Sequence, residues 1–266
     1  MIPAPQTRLF LAMTSSLALL MASRTPVLAA ETQAQLAPAG QTKAMPKVDD
    51  AASLRLARAL RAAGDPMSAL PLYRDILARQ PRNADLTVEF GDTLVQANLL
   101  DTAVGTYQSV PADSQALPGA ERGLARIELM LNRPDRALEH ANRALKIRPD
   151  DEPALVSQGV ALDRLRRHAE AQTAYRQALA LDPRSVVART NLALSLALSG
   201  SFDEAIDLLS PIARSATATA QDRQNLALVY GLKGESTTAL ALSRLDLSEA
   251  AATDNVAFLD QVRQGK

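Results

Sequence analysis

Apolar positions along this chain recur every three to four residues, the spacing that gathers them onto one face of a helix. The segment Glu152–Ser185, EPALVSQGVALDRLRRHAEAQTAYRQALALDPRS, shows it best. Leu155 and Leu162 flank Gly159, and Tyr175 and Leu179 follow Ala171. The spacing predicts one helix over about Pro153–Leu165, a tight turn, and a second over about Ala169–Leu181. Pro183 biases Asp182 away from the helical region, so the second helix stops there. Gly159 and Ala171 are small, which suits the point where two helices cross closely. Stepping from Ala171 in jumps of 34 residues always meets alanine: Ala69, Ala103, Ala137, Ala171, Ala205 and Ala239. The same step from Gly159 always meets Ala or Gly: Ala57, Gly91, Ala125, Gly159, Ala193 and Ala227.

A fixed period of 34 with small and aromatic residues at these places resembles the tetratricopeptide repeat. The resemblance implies an all-α fold: a right-handed solenoid of helical hairpins, about six repeats long, closed by a C-terminal capping helix. The repeats would span 50–83, 84–117, 118–151, 152–185, 186–219 and 220–253, with the capping helix and tail at 254–266. One hairpin cannot bury its apolar face alone, but a contiguous stack can. The second repeat has Gln115 where the closing proline is expected, and Pro111 predicts an early end to its second helix. Pro211 predicts a short or kinked second helix in the fifth. The sixth decays, with Asp246 where a small or apolar residue is expected. Val256, Phe258, Leu259 and Val262 then predict a short final helix.

Residues 1–29 read as a targeting segment. Arg8 supplies a positive start, Leu9–Ser23 is an uncharged run of 15 residues, and Val27-Leu28-Ala29 is a cleavage site of small residues. The run is shorter than the roughly 20 residues that span a bilayer, which favours a cleaved signal peptide over an uncleaved anchor. Residues 30–49 read as a flexible polar linker. The expectation is an exported, periplasmic protein, with association at the outer membrane left open. The chain has no cysteine, so a lipid anchor on cysteine is excluded.

Composition adds exclusions. Formal net charge is zero over 266 residues, and no basic patch offers a nucleic acid surface. There is no Gly-rich phosphate loop, no H-E-x-x-H and no cysteine nucleophile. His140 and His168 read as surface or packing residues, Asp150-Asp151-Glu152 as a solvated run or a helix start, and Arg164-Arg166-Arg167 as a solvated face. No enzyme, metal or cofactor is expected.

What remains is a surface for other proteins. The tetratricopeptide resemblance implies that places 2, 5, 9, 12 and 13 of each first helix line a concave groove. In the first three repeats these places include Leu54, Arg58, Arg61, Val88, Asp92, Gln96, Arg122, Arg126 and Leu129. In the last three they include Val156, Val160, Arg164, Thr190, Leu194, Leu198, Gln224, Leu228 and Leu232, with Asn191 and Asn225 at the sixth place beside them. The groove is expected to pass from charged to apolar, its apolar part an exposed strip of the kind that marks an interaction site.

The stretch Arg223–Val262, RQNLALVYGLKGESTTALALSRLDLSEAAATDNVAFLDQV, is more particular. Its R-Q-N-L-A-L with G-x-x-G, the Asp246-Leu247 pair and the final helix led by Asn255 resemble the TadD family of tight-adherence (Flp) pilus assembly systems. That resemblance implies a non-enzymatic assembly factor with the pilus secretin or its companions as partners. The alternative is a periplasmic repeat scaffold for another envelope system, such as polysaccharide export or cell-wall enzyme recruitment.

Overall fold

A computed structural model describes residues 49–265; the expected targeting segment, and all but Asp49 of the expected linker, lie outside them. The described residues form thirteen helices and no strand. They fall into two compact units, 49–116 and 117–265, where the repeat pattern predicts one contiguous run. The first unit holds α1 (Asp50–Ala62), α2 (Pro66–Arg79), α3 (Ala84–Gln96) and α4 (Leu100–Gln108). The second holds α5 (Leu117–Met130), α6 (Pro134–Ile147), α7 (Glu152–Arg164), α8 (His168–Leu181), α9 (Val186–Leu198), α10 (Phe202–Ala213), α11 (Ala220–Lys233), α12 (Ser236–Ser243) and α13 (Glu249–Arg263). No described helix is long and apolar enough to cross a membrane.

The period is written into the helix ends. At five of six places 34 apart, Asp49, Asn83, Asp151, Ser185 and Thr219 each accept a backbone N–H from the turn they precede, the exception being Leu117. Each such cap stabilises its helix by about 1 kcal/mol. Thr219 and Asp222 close a full capping box. The turn inside each hairpin is equally regular: Gly64, Asn98, Asn132, Arg166, Gly200 and Gly234, again 34 apart, all have positive φ. Glycine and asparagine accept that region readily, so Arg166 at φ 62 is the exception.

The alanines of the period are fully buried, from Ala69 through Ala239. The glycines have a different partner from the expected one. A Cβ on Gly159 would lie 2.4 Å from Cε1 of Tyr175, and one on Gly91 would lie 2.5 Å from Cε1 of Tyr107. The small place on the first helix is thus a seat for the aromatic ring of the second. In the first unit, Tyr73, Ile76 and Leu86 form the core around Ala57 and Ala69. In the second, one continuous core runs from Leu155 and Tyr175 through Leu192, Leu209 and Val229 to Leu259.

The two prolines act differently. α4 stops after 9 residues, three before Pro111. α10 carries helix through Pro211 to Ala213, giving 12 residues against 14 in α8. At the C-terminus the period breaks earlier than 254. α12 ends at Ser243 after 8 residues, and Ser248 caps a 15-residue final helix. Asp246 therefore sits in a link and not inside a helix, and Arg223 Nε donates to its Oδ2 at 2.9 Å. Gly231 lets α13 approach α11, since a Cβ there would lie 2.4 Å from Leu259 Cδ1.

Candidate functional site

Within residues 117–265, the first helices α5, α7, α9 and α11 pack against one another in turn, whereas the second helices do not pack closely on each other. A row of touching first helices lies on the inner side of a curve, so their shared face is the candidate site. It carries every groove residue that the sequence singles out in the last three repeats.

Burial on this face differs from expectation. Val156, Val160, Thr190, Asn191, Leu194, Asn225 and Leu232 are all 9% exposed or less. Arg164, Leu198, Gln224 and Leu228 are half-buried. The close approach of neighbouring first helices removes the intervening side chains from water, so the apolar strip is part of the core and only its edges are open. Leu194, 4% exposed, is a packing residue by its burial.

The polar groups on the face are mostly satisfied. Gln221 Nε2 donates to Asn225 Oδ1 at 2.8 Å, and Gln224 Nε2 reaches the Ser243 carbonyl at 3.4 Å. Arg122 Nη1 pairs with Asp151 Oδ2 at 3.0 Å. Asp151 is therefore not a solvated loop acid: its side chain is 2% exposed, and it also caps α7. Arg164, read from sequence as part of a solvated face, is drawn inward. Its Nη1 donates to the Leu129 carbonyl, near the C-terminus of α5, while its Nε is buried without a hydrogen-bond partner. Burial pushes its guanidinium pKa down. Arg167 does stay on the surface, paired with Glu170 at 2.6 Å.

The unit 49–116 holds the remaining charged places, Arg58, Arg61 and Asp92. Arg58 on α1 grips Glu89 on α3 with both arms of its fork, Nε donating to Oε2 at 2.8 Å. Tyr73 Oη donates to the same Oε2 at 3.3 Å, and Arg61 Nη1 reaches the Glu89 carbonyl at 3.4 Å. Tyr107 Oη donates to Asp92 at 2.7 Å. Leu54 packs on the core, and Val88 is buried. The hydrogen bonds from Arg58, chiefly, hold the Glu89 carboxyl below the usual carboxylate range, and raise Arg58. A depressed carboxyl adds stability above its unfolded pKa of about 4.3 and loses it as pH falls through the folded value. Glu89→Gln should therefore be less stable than wild type at pH 7 by about 0.5–1 kcal/mol, the gap closing in acid as pH falls through the folded value. Thermal melts at pH 7 and in acid check this; a gap that survives acidification would mean Glu89 acts through packing.

On α7, in the unit 117–265, Asp163 carries no signal in the repeat pattern. Asp163, only 9% exposed, accepts from Tyr175 Oη at 3.0 Å and Ser195 Oγ at 2.7 Å, with His168 Nδ1 at 2.8 Å. It ties α7 to α8 and α9. Desolvation pushes the Tyr175 phenol well up. His168 is thus a packing residue, as is His140, whose Nδ1 lies 2.6 Å from Glu121 Oε2. Among the described residues no cluster of His, Asp and Glu is placed to hold a metal ion.

A tetratricopeptide repeat family model matches residues 54–119 and 156–219. The chain is a tetratricopeptide repeat protein of the all-α class. Proteins of this kind are in general non-enzymatic scaffolds that bind other proteins. Solved structures share the fold. The thermophilic repeat protein TTC0263 of Thermus thermophilus superposes with a TM-score of 0.60 and 21% identity, over 68% of this chain and 98% of that one. PilF of Pseudomonas aeruginosa does so at 0.63 and 15%, over 78% and 96%. The Cut9–Hcn1 assembly of the APC/C gives 0.69 and 18%, over 79% and 42%. In sequence, an uncharacterised protein of Sinorhizobium fredii, y4yS, is 40% identical over 72 residues, 27% of this chain. The match spans 40% of the length of that relative.

Proposed function

We propose that this chain is a non-enzymatic assembly factor of a tight-adherence pilus system, exported to the periplasm, where its first-helix face holds segments of the secretin or its companions. The observation that carries the scaffold part is the row of first helices in 117–265, whose half-buried edge groups Leu198, Leu228, Gln224 and Arg164 offer mixed apolar and polar footing. The pilus part rests on the Arg223–Val262 resemblance. Several of the residues that carry it shape the end of the array: Gly231 admits Leu259 of the last helix, Gly234 ends α11 in the left-handed region, and Arg223 ties α11 to the link through Asp246. The residues of the resemblance thus have a structural task at the end of the array.

The test is a photo-crosslinking residue placed at Leu228 in the full chain, expressed in its own host and irradiated in intact envelopes. The expected product is a crosslink to a pilus secretin or a small pilus subunit, with an N-terminus near Ala30. Crosslinks to glycan or cell-wall enzymes would overturn the pilus assignment. No crosslink at Leu228, with one from an outer-helix position such as Arg176, would move the binding face.

A further inference from the structure

Of the first-helix arginines paired above, Arg58 is held by Glu89 and Arg122 by Asp151. Arg164 has no carboxylate within ion-pair distance among the described residues; it donates to the Leu129 carbonyl, and its Nε is buried without a partner. Asp163, next to it in sequence, is turned away and held by Tyr175, Ser195 and His168. On α5, Glu121 is held by His140 and Arg143, while Glu128 is in ion-pair range of Arg133 at 3.6 Å with its Oε2 in no hydrogen bond; neither acid pairs with Arg164. A cation drawn from water onto a helix C-terminus is compensated only in part by the carbonyls there, and an incoming carboxylate supplies a full counter-charge. Beside it the half-buried Leu198 and Leu228 continue the row toward α11.

Resting on the reading that this face binds protein segments, we propose that Arg164 selects an acidic one: an extended partner stretch in which Asp or Glu alternates with aliphatic residues, its carboxylate pairing with Arg164 and its aliphatic side chains seated against Leu198 and Leu228. Charge complementarity decides the class of occupant. Among the described residues the edge of the face offers the half-buried Arg164 and the amide of Gln224, and no acid pairs with that guanidinium, so a basic segment gains little there.

Fluorescently labelled ten-residue peptides alternating Leu with Asp, Asn or Lys, titrated into the full chain and followed by anisotropy, test this. The Asp peptide should bind at least tenfold more tightly than the Asn peptide, and the Lys peptide weakest. Arg164→Gln should erase the Asp preference, Arg164→Lys should keep part of it, and Arg176→Gln, on the exposed face of α8 and paired with Glu204, should leave it unchanged. If Arg164→Gln melts early, the salt dependence of wild type stands in: the Asp preference must shrink as ionic strength rises. Equal binding of the Asp and Asn peptides overturns the proposal and leaves the scaffold reading standing. So does a preference that survives Arg164→Gln. Failure of every peptide to bind the folded chain overturns it as well, and a crosslink at Leu228 then shows whether the scaffold reading falls with it.

Discussion

Gly159→Ala is expected to destabilise the chain by about 2 kcal/mol, although alanine is the better helix former by about 1 kcal/mol. The new methyl would lie 2.4 Å from Tyr175 Cε1, inside any real contact distance. The ring cannot step aside cheaply. Tyr175 is 1% exposed and its hydroxyl is tied to Asp163 at 3.0 Å. The array also supplies the remedy. Where the first helix of the next hairpin carries Ala193, the place equivalent to Tyr175 is Leu209, also buried. Gly159→Ala combined with Tyr175→Leu should therefore be less unstable than the two single losses added together, by about 1 kcal/mol or more. Urea denaturation of the four proteins in the cycle measures the coupling. Additive losses would mean that the ring and the glycine do not meet. Gly231→Ala serves as a milder comparison, because its contact is the far end of the Leu259 side chain.

Asp163→Ala should cost about 3 kcal/mol. It strands two buried donors, Tyr175 and Ser195, and takes the carboxylate from the half-buried His168. Asp163→Asn keeps an acceptor oxygen but also brings an amide that must find room among donors, so its cost should fall between wild type and alanine. Ser195→Ala, which removes a donor and leaves the acid with two others, should cost about 1 kcal/mol. The order Ala, then Asn, then Ser195→Ala in decreasing loss is read from chemical denaturation midpoints. A neutral Asp163→Ala would show that the carboxylate is tolerated rather than used.

These two sites show what the chain discloses in advance. The 34-residue step locates the seam, and every alanine on it from Ala69 to Ala239 is buried completely. Composition at a single place does not name its partner, so the sequence pairs Gly159 with Ala171, whereas the fold seats Tyr175 against it. Asp163 stays hidden because an acid read along one helix looks solvated; its donors come from two other helices. The exposure of the first-helix face is illegible for a related reason. How far Leu194 is from water depends on the spacing between α7, α9 and α11, and that spacing is a property of the stack. At the C-terminus, Ser248 followed by Glu249 is a legible helix start. The period, carried on through Thr253, obscures it.

The caps have a consequence for how such a chain can grow. Outside α5, the residue that starts a first helix is the last one of the preceding 34, as Asp151 starts α7 and Ser185 starts α9. A block copied from 152 to 185 brings a start signal for whatever follows it but borrows its own from the residue before. A block copied from 151 to 184 carries its own. Duplications framed one residue earlier are thus self-starting wherever they land, and an array can lengthen by one hairpin without inventing a new helix start.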